Sequence, residues 1–388
     1  MKKYISIILP VIIVLSIVVG SLGSSNAAEV IKIGTILNFT GPNAFIGPLF
    51  KNGIVKALEE TNYLVAGKKI KLIAEDAAND MNITLEKTKK LVERDKVNII
   101  LGPLMGDAHM ATAPYLANKK VLSTTLYCGS IELNTKYKGW LTYPNTLVGI
   151  MVPAGQFAAD SGYKTMITIG ADYAGGRGFI EGVKLGFEEK GGKVVQQIWV
   201  PVGTNDFGPY LSSLKKADSV AYFLEGPSPA QRFLLQYSQF GIKMPLVGTG
   251  MAAQLIQPIL KAIGKNILGL RGQAHYLSNR KDPLNEKWVK EMTDRFGQAP
   301  GAFELNSYSL TRAVIAGLEA TGGDDSFDKL WPAMLKIKID TPQGPLSFAP
   351  NGIAITDGYI VEVKIKDGNY NLDPIQTYKR VTDPRLKK

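Results

Sequence analysis

The chain has 388 residues, of which 45% are hydrophobic and 20% charged, which is enough apolar material for two or three domains with buried cores. Its single cysteine excludes an intrachain disulfide, and its two histidines argue against multi-histidine metal chemistry. The formal net charge of +11 raises the question of nucleic-acid binding. The basic residues are scattered in pairs among acids, however, without a basic stripe and interleaved aromatics, so we expect no nucleic-acid partner.

Residues 1–28 have the composition of a cleavable signal peptide. Lys2 and Lys3 give a positive start, residues 5–19 are almost entirely apolar, and Ser25-Asn26-Ala27 offers small residues for cleavage. The alternative is an uncleaved membrane anchor. Because the small, polar stretch 20–28 favours cleavage and no cysteine lies near the junction, we expect an exported protein, free in a periplasm and without a lipid anchor.

From Val30 onward, short apolar segments alternate with amphipathic ones. The strand-like segments are 30–37, 69–75, 97–101, 121–124, 165–170, 193–200, 219–224 and 269–275. The helical segments are 47–62, 83–95, 108–117, 149–161, 175–190, 207–216, 230–240, 283–296, 303–320 and 327–335. The chain closes with strand-like segments at 346–348, 358–365 and 370–372. This pattern predicts an α/β fold, and its length predicts two doubly wound lobes. Ligands of such sheets gather where the strands end.

The sequence lacks the motifs of three enzyme classes. The turn after the first strand, residues 38–42, has no dinucleotide-binding glycine pattern, and the glycine-rich residues 175–178 lack the Gly-Lys-Ser/Thr ending of a phosphate loop. No Gly-x-Ser-x-Gly stretch, the motif of serine hydrolases, occurs. Cys128 with His109 as its base is the remaining enzyme hypothesis, but a lone cysteine is more often a packing residue. We therefore expect no enzyme activity, no cofactor and no metal.

A series of short motifs runs in a fixed order along the chain. They are residues 41–47 with 51–53, Glu75-Asp76, residues 100–103, residues 171–176, Asp206-Phe207 with Leu211 and Leu214, residues 344–348, and Asn351-Gly352. Each motif is weak alone. Together, over essentially the whole chain after the leader, they resemble the type I periplasmic solute-binding proteins of ABC importers, in the branch that binds leucine, isoleucine and valine.

The resemblance implies a fold of two Rossmann-like lobes joined by three hinge crossovers, near residues 142–145, 275–277 and 345–348. It implies a first lobe of residues 29–143 plus 277–345 and a second of 144–276 plus 346–388. A small molecule would bind in the cleft, the lobes would close on it, and a monomeric protein would deliver it to an ABC permease in the inner membrane without chemistry. A ligand-sensing lobe for a receptor is the alternative.

The chain departs from this family at its ligand-contacting positions. The serine-rich loop that holds a ligand carboxylate corresponds to residues 104–109, which carry no hydroxyl. The acid that pairs with an α-ammonium corresponds to Gly250, and a family tyrosine corresponds to Gly175, two residues from Tyr173. A buried ammonium without an acid is costly. Glu225 or Asp107 is the candidate substitute, so amino acids stay possible ligands.

The predicted site combines the loops after the strands. Its residues are Phe45, Ile46, Gly106, Asp107, Tyr127, Cys128, Gly129, Tyr173, Glu225, Met251, His275 and Tyr276. The aromatic residues among them suit a flat apolar body with one or two polar groups. We therefore expect a hydrophobic amino acid or a related small carboxylate as ligand, with an aromatic acid or another small organic solute as the alternative.

Overall fold

The computed structural model describes residues 30–41, 44–104, 106–248, 250–251, 257–366 and 368–387. The predicted signal peptide and residues 42–43 of the first motif lie outside these ranges.

A six-stranded sheet organises the first lobe. Its strands are β1 (Val30–Leu37), β2 (Leu64–Val65), β3 (Lys68–Asp76), β4 (Ile99–Leu101), β5 (Leu122–Thr125) and β6 (Trp140–Thr142). They lie in the order β2-β3-β1-β4-β5-β6, and all neighbours are parallel except β2 and β3. Because β1 lies between β3 and β4, the winding direction reverses at β1, which opens a crevice at the carboxyl ends of these strands.

Seven helices belong to this lobe in the described residues. They are α1 (Ile46–Glu59), α2 (Met81–Lys89, continued as a π-helical turn over Lys90–Arg94), α3 (Gly106–Asn118), α4 (Ile131–Lys136) and, after the chain returns, α10 (Pro283–Phe296), α11 (Ala302–Ala320) and α12 (Phe327–Met334). Their apolar faces cover the sheet in a core that includes Phe50, Leu101, Val314 and Trp331.

The second lobe repeats this plan with a longer sheet. Its parallel strands are β7 (Thr165–Ala171), β8 (Lys193–Val200), β9 (Ser219–Phe223), β10 (Leu246–Gly248) and β11 (Arg271–Ala274). The antiparallel strands β14 (Ala354–Lys366) and β15 (Asn369–Val381) extend it beyond β11. Its helices are α5 (Val152–Asp160, after a 3-10 turn at Gly149–Met151), α6 (Ala174–Glu189), α7 (Gly208–Ser212), α8 (Pro227–Gln239) and α9 (Gln257–Ile263, followed by a 3-10 turn at Gly264–Ile267).

The predicted α/β class and two-lobe architecture are confirmed, and most predicted elements coincide with observed ones to within a few residues. The sequence pattern missed β2, β6, β10, α4, α9 and β12 (Lys338–Thr341). These elements are too short for an apolar periodicity to be recognised, since their burial depends on what packs over them.

Three crossovers connect the lobes. The first follows β6 and the second follows β11. The third lies inside β14, which starts by pairing with β13 (Gly344–Phe348) and continues by pairing with β11. Leu346, Phe348 and Ala354 pack in the first-lobe core, whereas Tyr359 and Val361 pack in the second. We therefore place the third crossover at residues 356–358, where the β14 register shifts, and not at residues 345–348.

A polar cluster ties these crossovers together. Tyr143, just after β6, donates its hydroxyl hydrogen to the side-chain oxygen of Gln343. Arg280, six residues after β11, donates to the main-chain oxygen of Gln343 and to the Tyr359 hydroxyl. Gln343 Nε2 donates to the main-chain oxygen of Asp357 at 3.0 Å. All three hinge segments therefore share one set of hydrogen bonds.

Candidate functional site

Aromatic side chains of the first lobe meet at the carboxyl end of β5. Tyr127 lies two residues after that strand, and its ring contacts His275 and Phe303 edge-on, with centroid distances of 5.8 and 5.7 Å. Phe303, in the first turn of α11, also packs on Phe50 of α1 at 5.3 Å. Tyr127 and Phe303 are partly buried. They form a firm aromatic wall, which we name the first-lobe wall.

The second lobe contributes Tyr173, which precedes α6 and is 37% exposed. Its ring folds back over Gly175, where an added Cβ would lie 2.5 Å from Cε2 and 3.0 Å from the hydroxyl oxygen of Tyr173. The Tyr173 ring therefore occupies the space that a side chain at position 175 would need. Gly175 is where the resemblance expects a tyrosine, so Tyr173 brings a phenol ring back to that position from two residues away.

The phenols of the two lobes lie near one another. Burial raises the pKa of Tyr127, and the neighbouring Cys128 and Tyr173 raise it further. Burial, followed by the charge of Glu225, raises the pKa of Tyr173 to about 12. Both hydroxyls are therefore protonated at neutral pH, and each can donate as well as accept a hydrogen bond.

Cys128 and Gly129 form the turn between Tyr127 and α4, which lies beside the first crossover. Cys128 has a left-handed φ of 53°, donates its N–H to the main-chain oxygen of Tyr143 at 2.8 Å, and is only 1% exposed. Burial raises the pKa of its thiol, so the reactive thiolate is disfavoured. A Cβ at position 129 would lie 3.1 Å from both Thr125 Cγ2 and Thr142 Oγ1, so glycine allows the close passage of the chain.

The two residues after β11 face opposite ways. His275 turns towards Tyr127, whereas Tyr276 packs inside the first lobe on Trp288, with its hydroxyl donating to Asn285 at 3.0 Å. This difference follows from the alternation of side chains in extended backbone. His275 therefore belongs to the aromatic group, and Tyr276 does not.

His109, the other histidine, has a structural environment. Its Nε2 donates to the main-chain oxygen of Pro103 at 2.8 Å, and its ring packs on Trp140 at 5.6 Å. Burial lowers the pKa of both histidines to about 4, so both are neutral at pH 7. The structure places His109 in a core with Trp140 and Cys128 in another with Met151.

The two candidate acids lie in different places. Glu225, just after β9, accepts the N–H of Gly203 at 2.9 Å and lies near Tyr173. Asp107 is exposed in the first turn of α3, next to Gly106, where an added Cβ would meet nothing within 4 Å. Asp107 also lines a cavity of about 130 Å³ between α2 and α3, together with Asn38.

The remaining predicted residues lie at the rim or in the cores. Phe45 is 66% exposed just before α1, and Ile46 packs partly on the first-lobe core. Met251 is buried in the second-lobe core, with its sulfur 2.3 Å from the place of a Cβ on Gly272. The structure therefore brings Tyr127, Tyr173 and His275 together, whereas Met251 and Tyr276 pack within the lobes.

The sequence did not predict two residues of this group, Phe303 and Asn306. Asn306 is fully buried one helical turn after Phe303, and its Nδ2 donates to the main-chain oxygen of Leu126 at 3.1 Å. Both lie in the first turns of α11, whereas the predicted site residues lie mainly after strands. Their spacing of three residues on one helix face is the only sequence signal that pairs them.

Within the described ranges, no cluster of three or more histidine, cysteine, aspartate or glutamate side chains is arranged to hold a metal ion. The same part of the chain contains no helix that is long and apolar enough to span a membrane.

The sequence and the fold both match known proteins. A family described as periplasmic binding protein matches residues 30–369. The Leu/Ile/Val-binding protein homolog 6 of Brucella suis biovar 1 (strain 1330) is 30% identical over 381 residues, covering 96% of this chain and 98% of that protein.

Two similar solved structures are of ABC-transporter solute-binding proteins. The protein from Rhodopseudomonas palustris BisB5, in complex with 3,4-dihydroxy benzoic acid, has a TM-score of 0.82 and 28% identity, covering 92% of this chain and 99% of that one. One from R. palustris, in complex with 4-hydroxybenzoate, has a TM-score of 0.83 and 27% identity, covering 93% and 100%. The chain belongs to the periplasmic binding protein family, as a type I solute-binding protein of an ABC transporter that is related to the Leu/Ile/Val-binding proteins.

Proposed function

We propose that this protein captures a small aromatic carboxylate between its lobes and delivers it to an ABC permease in the inner membrane. It would do so as a periplasmic monomer after removal of residues 1–28. The observation that carries the proposal is the first-lobe wall of Tyr127 and Phe303, with Tyr173 of the second lobe close enough to Tyr127 to raise its pKa. No chemistry is needed for this role.

A flat ring fits this arrangement better than a branched aliphatic chain. Aromatic rings pack edge-on or offset against one another, which favours a planar ligand between Tyr127 and the opposite lobe. Two relatives of known structure, at 27% and 28% identity, were solved with hydroxylated benzoic acids bound. Both lines of support point to the same class of ligand.

The amino end of α3 is the place we infer for the ligand's carboxylate. Main-chain N–H groups are unpaired in the first turn of a helix, and the helix dipole favours an anion there. The open space over Gly106 allows a carboxylate to approach this turn closely. Asp107, in the same turn, opposes an anion by its negative charge.

A hydrophobic amino acid is the second candidate, and Glu225 is the observation that favours it. Its carboxylate lies near Tyr173, where it could accept an α-ammonium. One of its oxygens already accepts the Gly203 N–H, so this carboxylate is less available to a ligand ammonium. The name of the Brucella suis relative also supports this candidate.

Enzymatic and sensory roles have less support. The enzyme hypothesis required Cys128 as nucleophile and His109 as base, but burial raises the pKa of the thiol and His109 already donates to Pro103. A sensor would use the same cleft, so we separate it from an importer component by its partner. Reconstituted transport with the cognate permease, stimulated by this protein, is the expected result for the importer.

Titration calorimetry of the protein lacking residues 1–28 tests the ligand class. We expect benzoate and 4-hydroxybenzoate to bind in about the micromolar range or more tightly. We expect cyclohexanecarboxylate, which has the same charge on a puckered ring, to bind at least about tenfold more weakly. Binding of leucine but of neither aromatic acid would establish the second candidate instead.

Asp107→Asn separates the two candidates by the sign of its effect. Removing an acid beside a bound carboxylate should strengthen benzoate binding by about two- to threefold, the size of an exposed charge interaction. If Asp107 paired with an ammonium, leucine binding would weaken. Glu132→Gln, in the exposed first turn of α4, is the matched control and should change neither affinity.

A further inference from the structure

A cavity of about 520 Å³ lies in the second lobe, away from the aromatic residues of the candidate site. It opens at the amino ends of β10 and β11, between residues 242–247 and residues 266–271, and we name it the second-lobe cavity. The cleft lies at the other end of this sheet, where β11 leads to His275. Arg271, which starts β11, is separated from His275 by about 13 Å of extended chain. The second-lobe cavity is therefore separate from the cleft.

The inner walls of the second-lobe cavity are apolar and aromatic. They include Phe157 of α5, Leu234 and Tyr237 of α8, and Leu270 before β11, each of which is at most 8% exposed. Sites for small organic molecules have such walls and volumes of about 300–1,000 Å³. An apolar ligand body would cover these walls, whereas a small inorganic anion would leave them in contact with water.

Hydrogen bonds hold the segments on both sides of the cavity. The Tyr237 hydroxyl donates to the main-chain oxygen of Met244 at 2.8 Å, which fixes the segment before β10 on α8. The Gly269 N–H donates to the main-chain oxygen of Val363 at 3.0 Å, and the Val363 N–H donates to that of Leu270 at 2.9 Å. These two bonds attach the segment before β11 to β14. The cavity is therefore preformed, and a ligand does not have to order its walls.

The mouth of the cavity is positively charged. Lys243 and Arg271 line it and are exposed, and the described residues that line it include no acid. Glu362 lies 3.7 Å from Arg271 but is shared with Lys364, at 3.5 Å. The last turn of α8, with Ser238, also lines the cavity, and a helix end carries only about half a negative charge. Two full positive charges outweigh it, so the mouth favours an anion.

We propose that the second-lobe cavity binds a second ligand, an amphipathic organic anion such as a medium-chain carboxylate. Its apolar chain packs against the inner walls, and its carboxylate lies at the mouth, near Lys243 and Arg271. This inference goes beyond the proposed function, because it assigns a ligand to the end of the second lobe that faces away from the cleft.

Titration calorimetry of the protein lacking residues 1–28 tests the ligand chemistry with three probes that share an eight-carbon chain. We expect octanoate to bind with a dissociation constant of about 100 μM or less. Octan-1-ol and octylammonium should bind at least about tenfold more weakly, because they lack the negative charge. Octylammonium binding as tight as that of octanoate would overturn the choice of an anion, and no binding of octanoate would overturn the site. Neither result affects the proposed function, which is tested by titrating the cleft with aromatic acids and leucine.

Ser238→Trp tests the location of the bound octanoate. Ser238 is exposed and lines the cavity, so an indole at this position would occupy the space of the ligand without disturbing the core. The octanoate affinity should fall at least about tenfold, and the affinity of the cleft ligand should not change. Ser212→Trp is the matched control, since Ser212 is an exposed serine of α7 outside the cavity lining, and it should change neither affinity. An unchanged octanoate affinity in Ser238→Trp would overturn the assignment.

A double variant tests the position of the carboxylate. Lys243→Gln combined with Arg271→Gln should weaken octanoate binding by about three- to tenfold, the size of two exposed charge interactions. Lys193→Gln, an exposed lysine at the amino end of β8 in the same sheet, is the control and should have no effect. Tyr127→Ala should leave octanoate binding unchanged. If octanoate binding is lost in Tyr127→Ala and kept in the double variant, octanoate binds in the cleft and the inference is wrong.

Discussion

The two sides of the cleft are built differently. On the first lobe, Tyr127 and Phe303 pack against each other and against Phe50 and His275, so their rings are held by neighbours within the core. On the second lobe, Tyr173 is 37% exposed and rests on the glycine at position 175. The first lobe therefore offers a preformed surface, whereas the second lobe offers a single, more exposed ring just before a helix.

This difference suggests a division of work between the lobes. In the proposed function, a ligand that meets the first-lobe wall would gain most of its apolar contact without ordering new side chains, which lowers the entropic cost of binding. The second lobe would add its contacts on closure, so its contribution would shift the population towards the closed state. Three predictions test this comparison, beginning with the largest effect.

Tyr127→Ala should weaken aromatic-acid binding by about 100-fold, because it removes a ring from the preformed wall and frees Phe303 to move. Tyr173→Ala should weaken it by only about tenfold, since its ring is already half solvated. Calorimetry with the aromatic acid that binds the native protein measures both. Tyr210→Ala, a partly buried tyrosine in α7, should leave affinity unchanged. A larger loss for Tyr173→Ala than for Tyr127→Ala would reverse the comparison.

His109 in the first lobe and His275 at the second crossover should both make the stability sensitive to acid. Burial lowers the pKa of His109 and His275 from 6.5 to about 4, so the unfolded chain binds more protons than the folded one between these values. Stability is therefore fully present above about pH 6.5 and falls as the pH drops towards 4, by up to about 3 kcal/mol for each ring.

Urea unfolding at pH 7.0 and 4.5 measures this loss. His109→Gln and His275→Gln should each reduce the difference between the two pH values, and the double variant should retain only the part due to carboxylates. An unchanged difference in the double variant would show that neither imidazole is neutral because of burial.

Gly175→Ala should weaken ligand binding by about five- to tenfold, because the new methyl group and the Tyr173 ring need the same space. The free energy of unfolding should change little, since alanine is a better helix former than glycine. A double-mutant cycle provides the control: in the Tyr173→Ala background, Gly175→Ala should have no further effect on affinity. Additive losses would mean that position 175 acts without the tyrosine.

Much of the architecture was predictable because long parallel strands leave a strong signal. Val30–Leu37 and Thr165–Ala171 are apolar runs bounded by turn residues, and their helices follow at regular spacing. The crossover inside β14 left no such signal. Its residues stay extended while they pass from one lobe to the other, and only packing shows where the change occurs.

The position of Tyr127, Tyr173 and His275 in the candidate site was predictable, because each follows the end of a parallel strand; their role in binding stays a prediction. The sequence could not distinguish His275 from its neighbour Tyr276, because a shift of one residue exchanges the two faces of an extended segment. Phe303 and Asn306 come from a helix that reaches the site only after the chain has returned to the first lobe. Tertiary packing alone brings them together.

The strand β14 has a mechanical consequence. Its beginning is bonded to β13 on one lobe, and its remainder is bonded to β11 and β15 on the other, with only the residues around 356–358 between them. No loop lies between the two bonded parts of the strand. A rotation of one lobe relative to the other would therefore have to twist this short segment. An opening of the lobes would therefore change the backbone torsion angles of this segment. Two reporter groups, one on each side of it, would detect ligand binding as a change in the distance between them.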